Sequence, residues 1–171
     1  MGFFEPYGRY RRRDGEADLI VVGKLIGLAR HARPHGSIEV IEAGEIVQGE
    51  GLRGDFRGSL KSGRNLREVT VMAIEDWRAA TEEVGQPWLD WSVRRANLLV
   101  EGLVLPREAG ARIRLSGGVE LEVTGQTEPC ERMEAIAPGL RAALTPHWRG
   151  GVTTRVISGG PVRPGDQVES D

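Results

Sequence analysis

Apolar and polar positions follow two periodicities along the chain, one typical of strands and one typical of helices. Branched apolar runs and strict alternation predict strands at 19–29, 37–42, 45–48, 68–73, 94–100, 111–116, 119–124, 151–158 and 163–168. Helical spacing appears at 74–84, ending before Gly85 and Pro87, and in two short stretches, 131–137 and 140–144. About eight short strands, two or three short helices and no strand–helix–strand repeat predict a mainly β, largely antiparallel, barrel-like sheet.

Composition narrows the class of protein. The chain has 171 residues, the size of one domain, and a net charge of −2, with 28% charged residues. This balance argues against binding nucleic acid through bulk positive charge, and no apolar run approaches the ~18 residues of a membrane span. Glycine accounts for 24 of the 171 residues, about 14%, which is roughly twice the usual ~7% and is typical of strands and turns.

The N-terminal segment differs from the rest of the chain. Residues 1–17 are predicted to be a mobile polar extension, and residues 18–171 one domain. Arg11–Arg13 precede acidic residues and an apolar stretch that Lys24 interrupts, which makes a poor signal peptide. The one cysteine excludes an internal disulfide and any iron–sulfur cluster held within the chain. Together these features predict a cytoplasmic protein.

Cys130 is the most informative single position. It follows Pro129 where a strand gives way to a helix, so we expect Pro129 at the first helical position and Cys130 in the first turn. Free N–H groups and the helix dipole there favour thiolate over thiol, and a thiolate can attack, carry sulfur or bind a soft metal. The alternative is a small buried apolar residue, since free cysteines are commonly buried.

A glycine-rich basic segment is the second candidate. Residues 51–70 contain five basic and two acidic side chains, a local charge of +3. Glycine lets the backbone approach an anion, and arginine offers a planar fork for phosphate oxygens. The segment is not a Walker loop, because the Gly-Lys-Ser/Thr ending is missing. The alternative, which spacing alone favours, is a solvated loop whose arginines aid solubility.

Three further features carry weaker signals. Arg94-Arg95-Ala96-Asn97 begins a predicted strand, where the asparagine either pins a loop or contacts a ligand. Glycines in Arg149-Gly150-Gly151-Val152 either admit a ligand or make a turn. His31 and His35 are four residues apart, but Pro34 would break a helix between them, so we predict surface histidines rather than metal ligands.

In order along residues 20–168, these motifs resemble the MOSC family, named for the C-terminal domain of molybdenum cofactor sulfurase. The resemblance rests on Gly51-Leu52-x-Gly54-Asp55, Arg67 with Val69-Thr70, Glu75, Arg95-x-Asn97, Pro129-Cys130, Arg149-Gly150-Gly151-Val152 and Gly165-Asp166-x-Val168. It implies a MOSC-type β-barrel of the small stand-alone kind. It also implies a molybdenum cofactor, in which a pterin dithiolene with a phosphate tail holds the metal.

The resemblance also assigns roles to residues. Cys130 would be the protein ligand to molybdenum, through a sulfur atom that suits a metal already bound by sulfur. Asp55 would either order the glycine loop by accepting its N–H groups or face the metal. The remaining cofactor-binding candidates are Arg53, Lys61, Arg64 and Arg67 for the phosphate, Arg95 and Asn97 along the site, Thr127 before the cysteine, and Arg149.

Three functions follow. The first is a molybdenum-cofactor reductase of N-hydroxylated small molecules, whose electrons come from a separate flavin or ferredoxin-like protein. The second is a sulfur carrier, in which Cys130 takes a persulfide from a pyridoxal-phosphate cysteine desulfurase. The third is a non-catalytic binding barrel with a buried, inert cysteine. The basic loop favours the first, because a bare carrier has less need of it.

Overall fold

A computed structural model describes residues 9–13, 16–60 and 64–171. The strands are β1 Arg9–Arg13, β2 Glu16–Arg30, β3 Glu39–Ile41, β4 Gly44–Val47, β5 Gly51–Leu52, β6 Val69–Ala73, β7 Leu98–Glu101, β8 Arg112–Leu115, β9 Glu120–Gln126, β10 Val152–Ser158, β11 Gly160–Val162 and β12 Gln167–Ser170. The helices are α1 Ile74–Glu83, α2 Glu131–Ile136 and α3 Leu140–Leu144, with 3₁₀ turns at Trp91–Arg94 and Pro146–Trp148.

Seven strands close into a barrel in the order β2-β12-β8-β9-β10-β6-β7, and β7 pairs back onto β2. Among the described strands of this barrel, only β6 and β7 run parallel to each other. Strands β1 and β3 also pair with β2, while β11, β4 and β5 form a small second sheet. The prediction of a mainly β, largely antiparallel barrel with a few short helices is therefore confirmed.

Strand β6 lies between the two apolar clusters of the fold. All five of its residues are buried, because alternate side chains face opposite sides of the sheet and both sides are covered. Val69 and Val71 belong to the barrel interior, whereas Met72 packs with Trp77 and Leu140 of the helices. The barrel and the helical layer thereby fix the ends of β6 and β7, near which the candidate site lies.

Two predicted strands begin four residues too early. The strand predicted at 94–100 begins only at Leu98, because Arg94 ends a 3₁₀ turn and Arg95 has the left-handed backbone angle φ 65°. The strand predicted at 163–168 begins at Gln167, because a turn closes there with the Arg163 N–H donating to Asp166. Strands β1, β5 and β11 were not predicted.

The N-terminal segment contributes a strand. Strand β1 pairs antiparallel with β2 from Arg9↔Val22 to Arg13↔Glu16, so regular structure lies within the residues predicted to be an extension. Residues 1–8 and 14–15 lie outside the described residues, and the mobility and boundary of the extension remain predictions. No helix in the described part of the chain is long and apolar enough to cross a membrane.

Candidate functional site

An open cavity of about 270 Å³ lies beside the start of α2, and we call it the arginine cavity. Four segments distant in sequence supply its walls: the turn after β2, the glycine-rich loop, the 3₁₀ turn before β7, and the residues around Cys130. Its lining residues are His31, Pro34, His35, Phe56, Arg57, Arg67, Arg94, Arg95, Glu128, Cys130, Arg132 and Met133. Five arginines thus face one carboxylate and one thiol.

Cys130 is exposed and precedes α2 rather than lying within it. Its backbone is extended (φ −116°, ψ −179°), and its carbonyl accepts the Met133 N–H at 2.9 Å. The helix begins at Glu131, and Cys130 is its N-cap. The prediction that Pro129 is the first helical residue and that Cys130 lies in the first turn is therefore wrong. The alternative of a buried cysteine is also wrong.

Arg94 forms a buried part of the cavity wall. The residue is only 6% exposed, and its Nη2 donates to the Thr127 carbonyl at 2.8 Å. Its Nε has no hydrogen-bond partner among the described residues. Burial lowers the pKa of Arg94 to about 10, and nearby Arg67 adds to this effect while the negative charge of Cys130 opposes it. Arg94 therefore stays cationic at neutral pH, with unused donor capacity.

Arg67 is a second underused cation beside Cys130. Its Nε is buried and lacks a hydrogen-bond partner within the described ranges. Burial lowers the pKa of Arg67, and the nearby Arg57 guanidinium lowers it further, while Cys130 raises it. Asn65 holds both loop arginines by their backbone, because its Nδ2 donates to the Arg57 carbonyl at 2.8 Å and its Oδ1 accepts the Arg67 N–H at 2.8 Å.

Arg95 and Arg132 occupy the wall formed with the 31–36 turn. Arg95 Nη1 donates to the Gly36 carbonyl at 3.0 Å. Arg132 Nη2 lies 2.9 Å from His35 Nδ1. A guanidinium only donates hydrogen bonds, so His35 Nδ1 is the acceptor in this contact. These contacts anchor two charges without neutralising either of them.

His31 lines the cavity, and its buried partner Asp55 lies behind it. Because His31 is buried, the prediction of a surface position is wrong for it, whereas His35 is exposed. Asp55 accepts the backbone N–H groups of His31 at 3.1 Å and Gly58 at 3.2 Å. His31 Nδ1 lies 3.3 Å from Asp55 Oδ1 without hydrogen-bond geometry. Burial lowers the pKa of His31; Asp55 opposes this, whereas the nearby arginines 57, 95 and 132 reinforce it.

Asp55 has the first of the two roles that the resemblance offered. Its carboxylate orders the glycine loop by accepting N–H groups and is 3% exposed. It lines a smaller depression on the other side of Phe56, whose walls do not include Cys130. Asp55 therefore shapes the cavity from behind, through His31 and Gly58.

Of the other predicted site residues, the structure brings Arg67 and Arg95 to the cavity and leaves three arginines outside its described lining. Arg53 pairs with Glu45 at 3.0 Å on the surface. Arg149 pairs with Glu83 at 2.7 Å and also donates to the Ala143 carbonyl. Arg64 is exposed and does not line the cavity. Lys61 lies outside the described residues, so its role remains a prediction.

Asn97 and Thr127 are buried beside the site rather than along it. Asn97 Oδ1 accepts the Thr70 N–H at 3.0 Å, and its Nδ2 donates to the Ala29 carbonyl at 3.1 Å, which ties together three barrel strands or their ends. This is the pinning role that was the alternative to ligand contact. Thr127 contributes its carbonyl to Arg94, while its Oγ1 lacks a partner among the described side chains.

Sequence reasoning missed nine of the twelve lining residues as site candidates: His31, Pro34, His35, Phe56, Arg57, Arg94, Glu128, Arg132 and Met133. Arg57 lay within the basic loop and Arg94 beside Arg95, so the local charge signal covered both of them. Nothing in the spacing of Arg132 indicated a site, because it reaches the cavity only through the position of α2. The two histidines were considered as metal ligands on a helix and set aside because Pro34 would break that helix. In the structure they lie in a turn, where this argument does not apply.

The geometry brings an exposed thiol together with cations that have free donors. Guanidinium groups bind oxyanions through charge-assisted, often bidentate hydrogen bonds. The thiolate is the form of cysteine that attacks or ligates metal. The cavity can therefore hold an anion next to a sulfur nucleophile or ligand.

Comparison with known proteins assigns this chain to a family. The family model of the MOSC domain matches residues 60–169, which include Arg67, Arg94, Arg95 and Cys130. The chain belongs to the MOSC domain family. MOSC domains are associated with binding of the molybdenum cofactor, and the observed barrel is of their type.

Solved structures support the assignment at the level of fold. The YuaD protein from Bacillus subtilis shares 21% identity with a TM-score of 0.72, over 95% of this chain and 98% of that one. YiiM from Geobacillus stearothermophilus shares 14% identity with a TM-score of 0.58, over 87% of this chain and 73% of that one. YiiM from Escherichia coli shares 16% identity with a TM-score of 0.58, over 86% and 69%. No curated protein is significantly similar to this MOSC domain in sequence.

Proposed function

We propose that this MOSC domain binds a molybdenum cofactor in the arginine cavity, with Cys130 as the protein ligand to the metal, and acts as a reductase of N-hydroxylated small molecules. The observation that carries the proposal is the exposed Cys130 thiol in the same cavity as five arginines. A thiolate suits a metal that is already coordinated by sulfur, and arginine suits the phosphate of the pterin.

The residues present fit such a group on two counts. Arg67 and Arg94 each keep a buried Nε that no group in the described part of the chain satisfies, and a buried donor without a partner is costly. An anionic cofactor would supply the missing acceptors. Cys130, Arg67 and Arg94 all line the same cavity, so one bound molecule can contact the ligand sulfur and the cationic donors together.

The bound cofactor would supply the two-electron chemistry that removes oxygen from the substrate. The protein's own residues would bind and orient. Cys130 would present its sulfur from the fixed start of α2, and the arginines would hold the anionic parts of the cofactor. His31, which lines the cavity and whose pKa is lowered by burial, is neutral at pH 7 and can hold or pass a proton. Electrons would come from a separate flavin or ferredoxin-like protein.

Metal content tests the proposal directly. The wild-type protein and the Cys130→Ser variant are expressed with and without cofactor biosynthesis, and molybdenum and released oxidised pterin are measured per chain. We expect near-stoichiometric molybdenum in the wild-type protein and a large loss in Cys130→Ser. Less than about a tenth of an equivalent of molybdenum per chain in cofactor-replete wild-type protein would contradict the proposal, because a tightly bound cofactor stays on the protein during purification.

The exposure of Cys130 favours a second function, that of a sulfur carrier. An exposed thiol can reach the persulfide of a pyridoxal-phosphate cysteine desulfurase, which a thiol in a closed site could not. Incubation with a desulfurase and labelled cysteine tests this function. Label that is retained on Cys130 and absent from Cys130→Ser supports the carrier. The third function, a non-catalytic binding barrel, required a buried and inert thiol. It is not supported, because Cys130 is exposed.

A further inference from the structure

We infer that the cofactor-free protein is also a sulfurtransferase that takes sulfane sulfur from a small oxyanionic donor of the thiosulfate class, with Cys130 as nucleophile and Arg67 and Arg94 as the oxyanion site. This activity goes beyond the proposed reductase. It needs no molybdenum, and a bound cofactor would compete with it for the same cavity.

The first observation is the accessibility of the nucleophile. Cys130 is exposed and lines the cavity, and its carbonyl accepts the Met133 N–H, which holds its backbone at the cavity wall. The nearest acidic neighbours along the chain do not close it off. Glu131 is exposed and paired with Arg141 at 3.1 Å, and Glu128 receives a weak 3.4 Å contact from Gln126.

The second observation is independent of the cysteine. Arg94 is 94% buried, since it is 6% exposed, and it lines the cavity with an Nε that has no partner among the described residues. Arg67, which is half-buried, also lines the cavity and also has a buried Nε without a hydrogen-bond partner in the described ranges. Buried guanidinium donors without acceptors indicate a small anion, because an oxyanion would satisfy both side chains at once.

These two observations favour an oxyanionic donor over a protein persulfide. Transfer from a desulfurase requires only an exposed thiol and makes no use of the unpartnered guanidinium groups. Thiosulfate has three oxygen atoms, which the arginines can bind, and a sulfane sulfur, which the thiolate can attack. The leaving sulfite is a dianion, so the same arginines stabilise the charge that develops as it departs.

The reaction balances without a further oxidant or reductant. The Cys130 thiolate attacks the sulfane sulfur, a new S–S bond forms, and the S–SO₃ bond breaks with its electron pair leaving on sulfite. The products are a Cys130 persulfide anion and sulfite, so total charge is conserved. A second nucleophile, a thiol or in the assay cyanide, then takes the outer sulfur and regenerates the thiolate.

The test uses the full chain expressed in a strain that lacks cofactor biosynthesis. Incubation with thiosulfate is followed by intact-protein mass spectrometry, and steady-state turnover by thiocyanate formation from thiosulfate and cyanide. We expect a mass gain of one sulfur atom on the wild-type protein and none on Cys130→Ser. Inorganic sulfate, which has the oxygens but no sulfane sulfur, should inhibit competitively.

The oxyanion site is tested by Arg94→Gln and Arg67→Gln, with Arg155→Gln as the matched control, because Arg155 pairs with Glu122 on the barrel surface. Each cavity variant should lose about tenfold in kcat/KM for thiosulfate, the loss expected for one charge-assisted hydrogen bond. Circular dichroism identifies an unfolded variant, and sulfate inhibition of the wild-type protein then tests the site without substitution.

Absence of the persulfide, equal labelling of Cys130→Ser, or wild-type kinetics in both folded cavity variants would overturn the inference. So would a lack of inhibition by sulfate. None of these results depends on molybdenum, so failure here leaves the proposed reductase untouched. A molybdenum-free result in the metal-content experiment likewise leaves the sulfurtransferase standing.

Discussion

Gly150→Ala should disturb the cavity from behind, through the buried guanidinium of Arg94. A Cβ at Gly150 would lie 2.5 Å from the Thr127 carbonyl and 2.9 Å from Arg94 Nη2, the two partners of the bond that holds the buried guanidinium. Gly150 does not have a positive φ, so the penalty is steric rather than conformational. Overpacking costs about 1–3 kcal/mol, and loss of a hydrogen bond to a charged group about 1.5–3 kcal/mol.

We therefore expect Gly150→Ala to lower the free energy of unfolding by about 3–5 kcal/mol, or Tm by about 10 °C for a domain of this size. The affinity for inorganic sulfate, measured by calorimetry below the transition, should fall about tenfold.

Gly125→Ala is the matched control for this substitution. It makes the same change at another glycine without positive φ, where the added Cβ meets only Thr153 Oγ1 at 3.7 Å. Its unfolding free energy should stay within about 1 kcal/mol of wild type. If both variants show the same stability and the same sulfate affinity, the clamp on Arg94 is refuted.

Three further predictions concern residues around the cavity. Asn97→Ala should cost about 3–5 kcal/mol in urea unfolding, because it leaves the Thr70 N–H and the Ala29 carbonyl buried and unpaired; a loss below 1 kcal/mol would contradict the pinning role. Asn65→Ala should weaken sulfate binding severalfold at little global cost, since it frees the backbone of two cavity arginines; unchanged binding would argue against this. The wild-type protein should lose stability as pH falls below 6.5, because folded His31 has a lowered pKa and binds fewer protons than the unfolded chain. His31→Gln should remove that part of the slope between pH 5 and 8, and an identical slope would show that His31 does not cause it.

Much of the barrel was predictable because its signals are local. Alternation of apolar residues marks strands such as β9, and Ile74, Trp77 and Ala80 at helical spacing mark α1, since one buried face imposes each period. The boundaries that failed depend on tertiary contacts. Arg95 leaves the strand pattern because its left-handed backbone sends its side chain to the Gly36 carbonyl, 59 residues away in sequence.

The sequence by itself determined the barrel class and the family and singled out Cys130 as a candidate, because these rest on periodicity and on ordered motifs within short stretches of chain. Only the tertiary structure decided which cations share the cavity with that sulfur. Arg94 and Arg132 line the cavity. Arg53 and Arg149 lie outside it, where they pair with Glu45 and Glu83. The physical reason is that a guanidinium's role depends on its partners: a nearby carboxylate satisfies it at the surface, whereas burial without an acceptor leaves it available to a ligand.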